Sequence, residues 1–210
     1  KKMTDILLFW ARKGVDGFRC DMAEMVPSAF WTYAIKEVKN EFPYILFIGE
    51  VYNPSLYDTY IQSGFDYLYD KVGMYDCVRG VIAGTRKPTE ITKQWQATDH
   101  IKNKMLYFLE NHDEQRIASP FFANDAEKGF PGVVVSSLLL PNPFMLYAGQ
   151  ELGEPGMDAE GFSGRDGRTT IFDYWGIDKL YRGYYKKNAL TAQEKVIWDK
   201  YNAILRIASK

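Results

Sequence analysis

The sequence has little cysteine, no long apolar run and no excess of one charge. Of its 210 residues only Cys20 and Cys77 are cysteines. Two cysteines make no disulfide framework and show no metal-ligand spacing, so we predict that both are small buried residues. Every apolar run is shorter than the roughly 18 residues that span a bilayer, which argues against a membrane span. Lys and Arg total 26, Asp and Glu total 27, and the net charge of -1 argues against a nucleic-acid-binding face.

The remaining composition is typical of a globular domain. Hydrophobic residues make up 46% of the chain and aromatic residues 16%, enough to bury a sizeable core. Most rings are expected in that core, and a minority in a polar cleft would suit ligands with apolar ring faces, such as sugars. The chain begins Lys1-Lys2-Met3-Thr4 and enters a helical pattern at once, without leader composition, so we expect a piece of a longer protein. None of these features assigns a compartment.

Three short apolar segments end in acidic residues, at residues 14–21, 44–51 and 106–113. Short apolar runs that are bounded by Gly or Pro and separated by helical patterns predict parallel strands. Catalytic groups at the carboxyl ends of such strands are typical of the (β/α)8 barrel. We therefore expect the three acidic ends to converge on one rim.

Five strands alternating with helices are predicted along the chain. The strands are expected at residues 14–21, 45–51, 65–69, 105–109 and 143–147, and the helices at 4–12, 28–42, 56–62, 76–83, 132–140 and from 191 onward. Thr4 is expected to cap the first helix, and Thr191 forms a capping box with Glu194. Residues 153–168 are rich in Gly and charge and are predicted to form a long functional loop. Because a barrel has eight strands, five predict either an open parallel sheet or part of a barrel.

The strand ends carry short motifs: Gly-Phe-Arg-Cys-Asp at 17–21, Gly-Glu-Val at 49–51 and Asn-His-Asp at 111–113. Together with residues 147–151 and 168–175, they resemble the α-amylase family, glycoside hydrolase family 13. In that family the three motifs end strands four, five and seven. The resemblance implies an α/β fold in which residues 1–210 form one partial catalytic domain, the C-terminal part (about strands 4–8) of a (β/α)8 TIM barrel.

The resemblance also implies roles. Asp21 would be the nucleophile, Glu50 the general acid/base and Asp113 the transition-state stabiliser, while Arg19 would partner the nucleophile and His112 would bind a sugar hydroxyl. The implied activity of the parent protein is retaining hydrolysis of α-1,4-glucosidic bonds in starch-like glucans or maltooligosaccharides, with the fragment itself inactive. Two alternatives remain open: a glucanotransferase using the same covalent intermediate, and a non-catalytic glycan-binding protein, which would be expected to lack one of the three carboxylates.

Retaining hydrolysis requires a pair of carboxylates of this kind, whatever the family. Retaining hydrolysis needs an ionised carboxylate and a protonated one about 5 to 5.5 Å apart. Arg19 precedes Asp21 by two residues and so shares its strand face, where its charge would favour ionised Asp21. Glu50 follows an apolar strand and should be partly desolvated. Taken singly, Asp21 could cap a helix, Arg19 could belong to a structural ion pair and His112 could be a core histidine. The occurrence of all three motifs in one chain favours a functional site.

Tyr52 is our preferred candidate for an aromatic platform under a sugar, because it directly follows the acid segment. Trp31, Phe65, Trp95 and Trp175 are further candidates, each more readily explained as core.

The resemblance has gaps. After Asp21 the chain reads Met22-Ala23-Glu24, where many α-amylases have Lys-His, and the family's strand-three motif is absent. We therefore assign no metal ligand in these residues and expect no cofactor for the chemistry, although a structural calcium ion is compatible with the full-length protein. The first and last strands would have unpaired edges, so we expect the fragment to self-associate.

Overall fold

The computed structural model describes residues 1–156, 166–169, 177–186 and 189–209, and a parallel sheet lies at its centre. Its strands are β1 (Gly17–Cys20), β2 (Leu46–Gly49), β3 (Tyr67–Tyr69), β4 (Met105–Phe108) and β5 (Phe144–Met145). They lie in chain order, and each neighbouring pair is parallel. An open doubly wound sheet would reverse its strand order at a switch point. The five strands therefore form half of a (β/α)8 barrel, and the barrel alternative is confirmed.

Helices cover the sheet. They are α1 (Lys2–Arg12), α2 (Ser28–Glu41), α3 (Tyr57–Gln62), α4 (Asp76–Ile82), α5 (Thr89–Ala97), α6 (Phe130–Leu138), α7 (Asp178–Tyr185) and α8 (Ala192–Ala208). A π-helical segment, Lys71–Tyr75, lies between β3 and α4. None of the described helices is long and apolar enough to cross a membrane.

Most helix boundaries follow the predicted signals. Gly14, after α1, has a φ of +89°, which glycine adopts without strain. The capping box at Thr191 and Glu194 is confirmed. The predicted cap at Thr4 is wrong, because α1 begins at Lys2 and Thr4 is a buried residue within the first turn of the helix. The Asp5 N–H already donates to the Lys1 carbonyl, so the helix starts one turn earlier.

Two helices escaped prediction, α5 and α7. No residue of α5 is buried, and in α7 only Gly183 is. Helix prediction from sequence depends on an apolar stripe that faces a core. In α5 that stripe consists of Ile91 and Trp95, which pack partly buried against the core, and α7 buries only Gly183. Stripes this short are too weak to predict a helix.

The strands separate two apolar clusters. Met105, Tyr107 and Leu109 join the large cluster beneath the helices, whereas Leu106 and Phe108 pack with Tyr69 and Tyr75 in a second, smaller one. This alternation is the period of two that a strand imposes on its side chains. Cys20 and Cys77 are both free and buried, as predicted.

Candidate active site

The acidic residues that end the strands lie at one edge of the sheet. Cys20 pairs with Gly49 in the register of β1 and β2, so Asp21 and Glu50 follow neighbouring positions. The Glu50 N–H donates to the Cys20 carbonyl at 3.0 Å. Asp113 is on the segment that leaves β4, two strands further along the sheet. Parallel strands bring their carboxyl ends to the same side, which accounts for the placement.

Arg19 joins the first two carboxylates. Its Nη1 donates to Asp21 Oδ1, and its Nη2 donates to Glu50 Oε1 at 2.6 Å. The guanidinium also lies 5.6 Å from the centre of the Tyr69 ring. Burial lowers the pKa of Arg19, but the hydrogen bond to Asp21 and the charge of Glu50 outweigh burial, and the net shift is upward. One fixed cation thus holds two acids from adjacent strands.

Glu50 is 3% exposed, so the expected desolvation is observed. Besides Arg19, the Met22 N–H donates to its Oε2 at 2.9 Å and the Tyr52 hydroxyl to its Oε1 at 3.2 Å. Met22 has a φ of +44°, a left-handed conformation that costs a non-glycine residue on the order of 1 kcal/mol. The backbone is therefore strained at Met22, the residue whose N–H donates to the buried Glu50 carboxylate.

Asp21 contrasts with Glu50. Its side chain is 71% exposed, so it is open to an approaching ligand, whereas Glu50 lies deeper. Two carboxylates in such different environments suit two different chemical roles.

Asn111 shapes the turn that carries the third acid. Its Oδ1 accepts from the backbone N–H groups of Asp113 and Glu114, both at 2.9 Å. His112 Nε2 lies 3.2 Å from Asp113 Oδ2, and both side chains are partly exposed. His112 is therefore part of the rim and not a core histidine.

The charge of Asp113 acts on three tyrosines, two of which lie beside Glu50 and Arg19. Burial raises the pKa values of Tyr52, Tyr69 and Tyr147, and the negative charge of Asp113 adds to the increase at each of the three. Tyr52 contacts Glu50 and Tyr69 faces Arg19. Asp113 is thus close enough to Tyr52 and Tyr69, the neighbours of Glu50 and Arg19, for its charge to affect their pKa values.

Of the candidate platforms within the described residues, Tyr52 is the one that is placed beside the carboxylates. Trp31 and Phe65 are buried in the core, and Trp95 packs against it. Trp175 lies outside the described residues. Tyr52 directs its hydroxyl to Glu50, and its role as a sugar platform stays a prediction.

A charged cluster beside Asp113 escaped prediction. Lys71 Nζ lies 3.0 Å from Asp76 Oδ1 and 3.2 Å from Glu114 Oε1, and the Tyr75 hydroxyl donates to Glu114 Oε2 at 3.1 Å. Glu114 directly follows the Asn-His-Asp motif at 111–113. This position was the one feature of the sequence that could have indicated a role for Glu114. The π-helical segment that presents Lys71 has no sequence pattern of its own.

A buried ion pair below the rim was also missed. Arg116 and Glu110 lie 2.8 Å apart and are 1% and 2% exposed. Arg116 also donates to Thr169 Oγ1 at 2.7 Å and to the Ala148 carbonyl at 2.9 Å. The pair therefore ties the ends of β4 and β5 to Thr169, the residue that follows the predicted functional loop at 153–168. The Arg116 N–H also donates to the carbonyl of Gly167, inside that loop, at 2.7 Å.

Within the described part of the chain, no group of three or more His, Cys, Asp or Glu residues could hold a metal ion. These residues do not test whether the full-length protein holds a structural calcium ion, with which the sequence is compatible.

Comparison with known proteins identifies relatives over the whole sheet. The family model for the α-amylase catalytic domain matches residues 1–198. Neopullulanase 2 of Thermoactinomyces vulgaris is 26% identical over 158 residues, which cover 73% of this chain and 27% of that protein. Alpha-amylase 3 of Dictyoglomus thermophilum is 26% identical over 229 aligned residues, covering 100% of this chain and 45% of its own length. The chain thus spans less than half the length of these relatives.

The fold also recurs in a solved structure. The cyclic α-maltosyl-(1→6)-maltose hydrolase of Arthrobacter globiformis superposes with a TM-score of 0.74, covering 99% of this chain and 43% of that chain. At 18% identity this similarity concerns the fold alone.

Proposed function

Because the chain belongs to the α-amylase catalytic-domain family, we propose that the full-length protein is a retaining glycoside hydrolase that cleaves α-1,4-glucosidic bonds in starch-like glucans. The observation that carries the proposal is the contact of Arg19 with both Asp21 and Glu50. Retention needs two carboxylates about 5 to 5.5 Å apart, and their shared contact with one guanidinium holds Asp21 and Glu50 close to each other.

In this proposal Asp21 is the nucleophile. Its exposed oxygen attacks the anomeric carbon, the bond to the leaving sugar breaks, and a glycosyl-enzyme ester forms. Arg19 orients Asp21 for the attack through its direct contact with the carboxylate. Water then cleaves the ester, and the anomeric configuration is retained after two inversions.

Glu50 serves as the acid and then as the base. It gives a proton to the glycosidic oxygen in the first step and takes one from water in the second. All three of its present contacts are donors to the carboxylate. The oxygen that carries the proton must therefore exchange one of these contacts for the substrate oxygen.

Asp113 and His112 complete the proposed site. Positive charge develops on the sugar ring in the transition state, and the Asp113 carboxylate would stabilise it. His112, beside Asp113, is placed to donate to a sugar hydroxyl. A glucan or maltooligosaccharide is the corresponding substrate.

The test is release of reducing sugar from soluble starch by the full-length protein and by the 210-residue chain. Glu50→Gln keeps the shape but not the proton transfer, and should abolish activity in the full-length protein. Glu41→Gln is the matched control, because Glu41 pairs with Arg12 on the exposed surface and should not affect the rate. We expect no activity from the 210-residue chain alone.

Three outcomes would overturn the proposal. Equal sugar release by wild type and Glu50→Gln would exclude the assigned mechanism. Products longer than the substrate would indicate a glucanotransferase, in which a sugar acceptor replaces water. Glucan binding without any bond cleavage would indicate a binding protein.

A further inference from the structure

The π-helical segment between β3 and α4 lies beside the proposed catalytic residues. π-helical turns are rare and are often found at functional sites. This one presents Lys71 and Tyr75 to the same carboxylate, that of Glu114. Glu114 is 8% exposed. Arg79 Nη1 lies 3.9 Å from its Oε2, the oxygen that accepts from Tyr75. The Glu114 side chain is thus fixed from the β3–α4 connection.

Glu114 in turn is coupled to Asp113. The two residues are adjacent, and their backbone N–H groups share one acceptor, the Asn111 side-chain oxygen. The turn therefore has two anchors, Asn111 on the β4 side and the Glu114 carboxylate on the β3 side. Releasing the second anchor would let the peptide of Asp113 and Glu114 rotate about the first.

Lys71 also lies near Tyr52, on the segment that follows β2. Its Nζ is 6.0 Å from the centre of the Tyr52 ring, whose hydroxyl donates to Glu50. Burial lowers the pKa of Lys71, but its hydrogen bond to Asp76 and the charge of Glu114 raise it on balance. Lys71 is therefore a cation at neutral pH and lies between the segments that carry Glu50 and Asp113.

We propose that Lys71 is a positioning residue that holds Asp113 in place, through Glu114, relative to the sugar bound at Glu50. The inference rests on the proposed function. Without Lys71, Glu114 would keep the Tyr75 hydroxyl and the more distant Arg79 but lose its closest cation, which it shares with Asp76. Repulsion between these two carboxylates would then favour rotation of Glu114 toward solvent. Asp113 would follow because the two residues share one turn.

The experiment uses the full-length protein with Lys71→Met, which keeps the length of the side chain and removes its charge, and Lys71→Arg, which keeps the charge. We expect Lys71→Met to lower kcat on starch about tenfold or more with KM changed less than threefold, because a displacement of about 1 Å can cost on the order of 100-fold in rate. Lys71→Arg should recover most of kcat.

Lys200→Met is the matched control. Lys200 likewise pairs with a glutamate, Glu127 at 2.7 Å, and lies over an aromatic ring, Phe130 at 4.4 Å, but on α8. Loss of its charge should leave kcat unchanged. If Lys200→Met lowers kcat as much as Lys71→Met does, both losses would be due to general destabilisation, and the inference would be overturned.

Crystal structures of wild type and Lys71→Met give a readout that does not depend on activity. The Asp113 carboxylate should move by about 1 Å or more in the variant, and an unmoved carboxylate overturns the inference whatever the rates. If wild type and Glu50→Gln release sugar equally, the proposed function fails, while the two structures still decide whether Lys71 positions Asp113. A wild-type rate in an active Lys71→Met variant overturns the inference alone.

Discussion

At the residue scale, Arg19 is set apart by the shape of its donor group. Its planar guanidinium offers separate nitrogens to Asp21 and Glu50, whereas the ammonium group of a lysine is a compact point charge. We expect Arg19→Lys to lower kcat/KM by about 100-fold, as displacement of reacting groups by about 1 Å can do. Starch hydrolysis by the full-length variant measures this.

The control for Arg19→Lys is Arg12→Lys. Arg12 also binds a carboxylate through two nitrogens, that of Glu41, but on the exposed surface. Its replacement should leave kcat/KM unchanged. A rate for Arg19→Lys within threefold of wild type would contradict the proposed role.

Asp70 is a buried acid outside the proposed chemistry. Burial raises the pKa of its carboxyl from 3.8 to about 6, and the residue is 1% exposed. Because the folded-state pKa lies above the unfolded one, this group stabilises the fold fully below about pH 4, and the contribution is lost as pH rises through about 6. The loss amounts to roughly 3 kcal/mol.

Asp70→Asn should therefore remove this pH dependence. We expect the free energy of unfolding of wild type, relative to the variant, to fall by roughly 3 kcal/mol between pH 4 and pH 8. Urea denaturation of both proteins across that range measures the difference. A constant difference would show that Asp70 does not titrate there.

At the element scale, α8 begins with a network centred on Glu194. Its carboxylate accepts from the Thr191 N–H at 2.9 Å and from Arg182 Nη2 at 2.7 Å, so the capping box also ties α7 to α8. The Arg182 hydrogen bonds lower the pKa of Glu194 to about 2 against the opposing effect of burial. The folded-state pKa is depressed, so the stabilisation is present above about pH 4.5 and lost as pH falls through about 2.

Glu194→Gln should cost about 1 to 3 kcal/mol of stability at pH 7, and the cost should shrink as pH falls from 5 toward 3. Thr191→Ala is the control, because it removes a neutral cap worth about 1 kcal/mol but leaves the Arg182–Glu194 ion pair, so its cost should depend much less on pH. Urea denaturation at each pH measures both. An equal cost of Glu194→Gln at pH 7 and pH 3 would contradict the assigned ion pair.

The other elements show how well local signals specify a helix or strand. All five strands were predicted, because each is an apolar run between turn residues. The helices α5 and α7 were not, because they bury almost no side chain. The π-helical segment, which presents Lys71, likewise depends on contacts across the sheet, above all with Glu114.

At the scale of the whole molecule, the half-barrel leaves two strands with one neighbour each. Among the described residues, β1 pairs only with β2, and β5 only with β4. On α1, the helix that precedes β1, Phe9 and Trp10 are each 51% exposed. Unpaired edges and exposed apolar rings both favour association.

We therefore expect the isolated 210-residue chain to self-associate, with an apparent mass that rises with concentration in light scattering. Phe9→Glu should weaken the association, because it places a charge on the exposed face of α1. A monodisperse monomer at all concentrations would contradict the prediction.

The sequence by itself determined which residues bear the proposed chemistry and which strands deliver them. Asp21, Glu50 and Asp113 could be located because the end of an apolar run is a local feature, and parallel strands bring such ends to one rim. Only the tertiary structure decided the contacts of Arg19 with Glu50, Lys71 with Glu114 and Arg116 with Thr169. Those partners are 31, 43 and 53 residues apart in the chain, and they meet only through the register and order of the strands, which no local pattern encodes.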